Sequence, residues 1–173
     1  MDAAQPAESG PAHNQTTMDR HSDRELVVTR RFNGPARLVF RAWTTPELFR
    51  RWWVPQSFGI SLLSCEMDVR TGGSYRLLFR HPQAPEPMAF FGNYLEVVPH
   101  SRLVWTNAEA GPDGSVTTVT FEEAGEVTHV VLRDLYPTKQ ALDDAIASGS
   151  VSGFGEQFDG LDDLLVALAA EGA

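Results

Sequence analysis

The sequence predicts an α+β fold in which a curved antiparallel sheet closes around a C-terminal helix. Three observations carry this. The elements run in the order strand, two short helices, six strands, long helix. The strand segments are joined by short linkers, which favour antiparallel neighbours. The last helix carries a narrow apolar stripe that must lie on something, and the sheet is the one large apolar surface on offer.

Each element has its own justification. Residues 1–23 lack an apolar period and are rich in Ala, Pro, Gln, Ser, Asn and Thr, so a disordered N-terminal tail is expected there, followed by one domain over residues 24–170. Leu26, Val27, Val28 and Thr29 form a β-rich run that ends at the turn Asn33-Gly34-Pro35. Pro35 suits a first helical position, and Leu38, Val39, Ala42 and Trp43 recur at helical spacing. A second helix is expected from Pro46 through Trp52, capped by Thr44 or Thr45 and ended by Pro55.

Strands are expected over residues 60–69, 73–81, 88–98, 102–108, 115–123 and 127–134, which with the first run makes seven. Turn signals separate them, among them Gly72-Gly73, Pro99-His100 and Gly111–Gly114. A short helix over Lys139–Ala147 and a Gly/Ser break over Ser148–Gly155 lead to the last helix. There Phe154, Phe158, Leu161, Leu165 and Leu168 share one face, and Glu156, Asp159, Asp162 and Asp163 lie off it.

Composition narrows the function. With 173 residues, 42% apolar and 21% charged, the chain has enough material for a core without a disulfide or a structural metal. The single cysteine, Cys65, excludes a disulfide framework, and a cytoplasmic location is expected. A net charge of −9 argues against nucleic acid as partner. The charge is uneven: residues 24–108 carry eleven bases and six acids, and residues 134–173 carry eight acids and one base. The acidic C-terminal region reads as a solvated face. No apolar run reaches the roughly 18 residues of a membrane span, and residues 1–22 do not form a secretory signal.

Chemical motifs are sparse. The five histidines include no pair at metal-ligand spacing, no serine sits in a nucleophile elbow, and neither Gly72-Gly73 nor Gly149–Gly155 matches a nucleotide fingerprint. No metal, cofactor or catalytic residue is assigned. Four carboxylates fall in predicted strands: Glu66, Asp68, Glu96 and Asp134. They are expected to face solvent or pair with Arg70, Arg76, Arg102 or Arg133; one turned inward would be a general acid or base. Aromatic bulk is the chain's main resource. A curved sheet closed by one helix leaves interior space, and such a cavity is a small-ligand site. Its expected lining is Trp43, Trp52, Met67, Tyr75, Leu77, Phe90, Tyr94, Trp105, Phe121, Phe154, Phe158 and Leu161.

Several segments also carry a resemblance: Phe40-Arg41-Ala42-Trp43-Thr44, Pro46-Glu47-Leu48, Arg51-Trp52-Trp53-Val54-Pro55, Cys65 to Arg70 running into Gly72-Gly73, and Gly92 to Pro99 followed by Arg102-Leu103-Val104-Trp105. In order and spacing they resemble the bacterial relatives of the C-terminal domain of the activator of the ninety-kilodalton heat-shock chaperone's ATPase, in the START-like (SRPBCC) superfamily. The resemblance spans about residues 24–168. It implies a helix-grip fold with a seven-stranded sheet and a hydrophobic cavity, and a link to the stress response. Two positions depart from it: Gly153-Phe154 stands where many relatives have Gly-Trp, and Val54 where many have Gly. The sequence carries no counterpart of the eukaryotic activator's N-terminal chaperone-binding domain. The expected function is therefore binding of a small hydrophobic or aromatic molecule. A protein-interaction or co-chaperone role comes second, and a cyclase- or dehydratase-type enzyme using a cavity carboxylate third. A monomer or weak homodimer is expected.

Overall fold

The computed structural model describes residues 15–54, 57, 59–108, 114–149, 151 and 153–171. Its first strand, β1 (Thr17–Arg20), lies where the sequence pointed to a tail, so the sheet has eight strands rather than seven. The reason is local. β1 is exposed at every residue, so it has no apolar alternation to betray it; it is held by pairing with Leu26–Thr29 across a turn in which the His21 N–H donates to the Glu25 carbonyl at 2.9 Å.

The next elements follow the apolar pattern. β2 (Glu25–Phe32) turns Leu26, Val28, Arg30 and Phe32 inward. α1 (Ala36–Thr44) starts after Pro35, and the Glu123 side chain accepts from the Ala36 N–H at 2.9 Å in place of a local cap. α2 is shorter than expected, Pro46–Phe49. Thr45 occupies its cap position without a side-chain bond, while the Thr44 hydroxyl donates back to the Phe40 carbonyl at 2.9 Å. Past α2 the backbone continues in turns, with Trp53 N–H on the Phe49 carbonyl at 3.1 Å. Pro55 lies outside the described residues.

The remaining strands are β3 (Ser61–Met67), β4 (Ser74–Arg80), β5 (Met88–Val98), β6 (Arg102–Thr106), β7 (Val116–Ala124) and β8 (Val127–Leu135). The sheet order is β1-β2-β8-β7-β6-β5-β4-β3, antiparallel throughout. β5 is its corner. Residues 88–93 pair with β4 and residues 94–98 pair with β6. Gly92 sits at the change of partner, where a Cβ would stand 1.9 Å from the Thr106 carbonyl oxygen. The earlier hairpin bends at Gly72, whose φ is +89°.

Two helices complete the chain. α3 (Lys139–Ala147) is capped by Thr138, whose hydroxyl accepts from the Ala141 N–H at 3.1 Å. α4 (Phe154–Ala170) buries Phe158, Leu161, Leu165 and Leu168 against the rest of the core, as its stripe requires. Its acidic side is not wholly solvated, however. Asp162 is buried and pairs with Arg30 of β2, so this carboxylate belongs to the interior. At the centre of the core stands Trp43, with Trp52, Trp53, Trp105, Phe121 and Phe158 ring centroids 4.8–6.1 Å away.

Candidate functional site

Between the open end of the sheet and the last two helices lies a cavity of about 560 Å³. Bent β4 and β5 form one wall with Tyr75, Leu77, Phe90 and Tyr94, and Met67 of β3 adjoins them. The inward residues of β6–β8 form a second wall, Leu103, Trp105, Thr117, Leu132 and Asp134. α3 closes a side with Ala141 and Ala145, and the first turn of α4 contributes Phe154 and Gln157. Trp43, Phe49 and Trp53 form the floor beneath α1 and α2. The Gln157 side-chain amide donates to the Trp53 carbonyl, which ties the start of α4 to that floor.

Of the residues expected to line a cavity, Trp43, Met67, Tyr75, Leu77, Phe90, Tyr94, Trp105 and Phe154 are on its wall. Trp52, Phe121, Phe158 and Leu161 are not; they are buried in the solid core. This division has a geometric cause. The cavity sits at the N-terminal end of α4, so residues further along its stripe meet close-packed rings instead: Phe158 touches Phe32 at 5.4 Å between centroids. Trp52 is turned into the helix pair, its indole N–H donating to the Ala42 carbonyl at 3.0 Å. The Trp43 indole N–H has no acceptor among the described residues.

The residues that sequence reasoning passed over form the cavity's polar end: Asn107, Ser115, Thr117, Asp134 and Tyr136. Strand parity carries the signal for most of them. Once Phe121 and Trp105 are taken as inward, Thr117 and Asn107 follow at steps of two, and Asp134 shares its face with Val130 and Leu132. Thr117 and Asp134 are direct cross-strand partners.

Hydrogen bonds run through this end in one direction. The Tyr75 hydroxyl donates to the Thr106 carbonyl at 2.8 Å. The Asn107 amide donates to the Ser115 carbonyl and hydroxyl and to the Thr117 hydroxyl, at 3.0–3.1 Å. Thr117 in turn donates to Asp134 Oδ1 at 2.5 Å. Asp134 Oδ2 has no donor among the described residues. Burial pushes the Asp134 carboxyl up to about 6 despite the bond from Thr117. Burial and the nearby Asp134 charge push the Tyr136 hydroxyl up to about 12. Burial likewise raises Tyr94, with smaller contributions from Cys65 and Asp68.

The other strand carboxylates are elsewhere. Asp68 pairs with Arg70 at 2.9 Å and Glu96 with Arg102 at 3.2 Å, both exposed at the side chain, and Glu66 is exposed. Arg133 pairs with Glu25 at 3.1 Å. Asp134 therefore departs from the solvent-facing expectation. No Arg, Lys or His lines the cavity among the described residues. Nor does any group of three or more His, Cys, Asp or Glu side chains there stand close enough to hold a metal ion. Among the same residues no helix is long and apolar enough to cross a membrane.

A curved antiparallel sheet gripping a C-terminal helix, with two small helices after its second strand, defines a helix-grip domain of the START-like (SRPBCC) class. The family model for "Activator of Hsp90 ATPase homolog 1-like protein" matches residues 33–166, and the chain belongs to that family. Solved structures agree on the fold. A crystal structure of a Rhodobacter sphaeroides protein superposes with a TM-score of 0.80 at 21% identity, covering 89% of this chain and 99% of that one. A Nitrosomonas europaea protein gives 0.78 at 25% identity, covering 86% and 98%. The solution structure of an AHSA1-like protein from Aeromonas hydrophila gives 0.62 at 18% identity, covering 83% and 94%. A comparison with curated proteins found no match.

Proposed function

We propose that the protein binds a small apolar molecule in the cavity between sheet and C-terminal helix. The observation that supports this is the cavity itself. Its roughly 560 Å³ falls in the 300–1,000 Å³ range of small-molecule sites, and its walls are indoles and phenyl rings with one polar end. The family's helix-grip fold is consistent with it. The free thiol of Cys65 suits a reducing cytoplasm, and we read the working state as a monomer or weak homodimer. A two-dimensional amide NMR titration with flat aromatic, fatty-acid and steroid-like compounds tests the reading. Saturable shifts on Tyr75, Trp105 and the first turn of α4 are expected. A silent spectrum would reject it and turn the search to protein partners.

Asp134 favours a second reading, a cyclase- or dehydratase-type enzyme in which this carboxylate moves a proton on a bound substrate. Its position on the cavity wall without an arginine partner is the feature such chemistry needs. Turnover that survives in the Asp134→Asn variant would exclude that role.

A further inference from the structure

We propose that the cavity holds a lipophilic amine, its protonated nitrogen on the Asp134 carboxylate and its apolar body among the indoles of Trp43, Trp53 and Trp105. The inference rests on the ligand-binding reading above and adds the chemical class of the ligand.

The direction of the hydrogen bonds carries the argument. Asn107 donates to Thr117 and Thr117 donates to Asp134 Oδ1, so the chain of donors ends on the carboxylate. Its second oxygen still has acceptor capacity, and the described lining supplies no cation to meet it. Asp134 is half-buried on the cavity wall, so its carboxylate is less well solvated than a free one, and a ligand that covers it while bringing the missing cation recovers part of that loss. An alcohol would offer a single hydrogen bond. An ammonium offers the bond and the charge. A fatty acid or other carboxylate would meet a like charge at the polar end and no positive group elsewhere on the described wall.

The surroundings of Asp134 keep this preference simple. β2 places Leu26 opposite it and β7 places Thr117. α3 presents Ala141 and Ala145 to the cavity, and α4 presents Phe154 and Gln157. The titratable groups that share the cavity wall with it are the phenols Tyr75, Tyr94 and Tyr136; a phenol is uncharged near neutral pH, and burial pushes the Tyr136 hydroxyl higher still, to about 12. The adjacent charges are engaged elsewhere: Arg133 with Glu25, and Arg24 with the Tyr136 carbonyl at 2.9 Å. Burial places Asp134 at about 6, so amine binding rises with pH through that region while the amine stays protonated.

Four probes with one aromatic body test the inference on the full chain by amide NMR: 2-naphthylmethylamine, 2-naphthalenemethanol, 2-naphthylacetate and 2-methylnaphthalene. At pH 8 the amine is expected to bind about tenfold or more tighter than the alcohol, a difference that corresponds to about 1.4 kcal/mol. At pH 5 that advantage is expected to disappear. Asp134→Asn should abolish the advantage of the amine over the alcohol, and an amide spectrum with the dispersion of the parent shows that the variant is folded. Thr117→Val removes the hydroxyl that favours the charged carboxylate, so it should move the pH midpoint of amine binding upward. If methylnaphthalene binds but the amine is no tighter than the alcohol, or if the acetate equals the amine, the amine assignment fails and the ligand-binding reading stands. Silence from all four probes overturns both.

Discussion

The Arg30 guanidinium on β2 meets the Asp162 carboxylate on α4 in an ion pair buried on both sides, with relative exposures of 2% and 6% for the two residues. Asp159, one turn earlier on α4, accepts a second bond from the same guanidinium at 2.7 Å from a more exposed position. The pair fixes α4 to the sheet at a point where its apolar stripe alone would allow sliding. Breaking it leaves a buried charge uncompensated, which costs roughly 3–5 kcal/mol in comparable cases. Asp162→Ala is therefore expected to lose about 3 kcal/mol, the lower end, because Asp159 still faces the cation. Replacing both partners together, Arg30→Met with Asp162→Leu, should recover most of that loss. Urea denaturation of the single and double variants measures both, and a double variant no more stable than Asp162→Ala would contradict the account.

Phe154 and Phe158 stand one turn apart on α4 with ring centroids 6.0 Å apart, yet they have different jobs. Phe158 is fully buried against Phe32 and Trp43, and Phe158→Ala should cost about 3–5 kcal/mol. Phe154 is half-buried and faces the cavity, so Phe154→Ala should cost about 1 kcal/mol and enlarge the space available to a ligand. Thermal melts of the two variants give the comparison; equal losses would mean that Phe154 is core as well.

How much of this was legible in the sequence varies with the physical signal. β5 was readable over its whole length, Met88–Val98, because turn residues bound it on both sides. β1 was unreadable because a fully exposed strand has no apolar period, and pairing with β2 is a contact that no local pattern announces. Trp43 and Trp105 were readable as interior, but which aromatics face space and which face each other depends on where the cavity lies along α4. Asp162 looked solvated because the stripe counts only apolar residues, and its partner Arg30 lies 132 positions away. The polar end of the cavity was hidden for the same reason: Asn107 follows the end of β6, Thr117 lies on β7 and Asp134 on β8, and they meet only through the pairing of those strands.

Gly92 marks the corner of the sheet, and its requirement is space rather than a left-handed backbone. A Cβ there would lie 1.9 Å from the Thr106 carbonyl oxygen and 2.9 Å from the Thr106 hydroxyl. The hydroxyl also accepts from the Asn93 N–H at 3.0 Å, so β6 cannot withdraw without losing that bond. Gly92→Ala is expected to destabilise the protein by about 2–3 kcal/mol, at the upper end of ordinary overpacking. It should also perturb amides on both sides of the corner, at Tyr75 and Trp105. An amide spectrum unchanged beyond the immediate neighbours would show that β5 has more slack than this geometry gives it.

Asp134 sets a pH dependence whose sign is opposite to that of a salt-bridged carboxylate. Burial raises its pKa from the ordinary 3.8 to about 6 in the folded chain. Between those values the unfolded chain has lost the proton and the folded chain still holds it. Stability from this group is therefore fully present below about pH 4 and is lost as pH rises to about 6, after which the contribution is flat. The polar groups and any water in the cavity screen the charge, so the difference is on the order of 1–2 kcal/mol, below what the full shift would give. In Asp134→Asn the side chain cannot ionise. The variant should match the parent near pH 4 and exceed it by that amount near pH 7.5, since the amide can still accept from Thr117. Urea denaturation at both pH values measures the two gaps. An Asn variant less stable than the parent at pH 7.5 would mean that the ionised carboxylate is itself stabilised in the fold, and would contradict the burial argument.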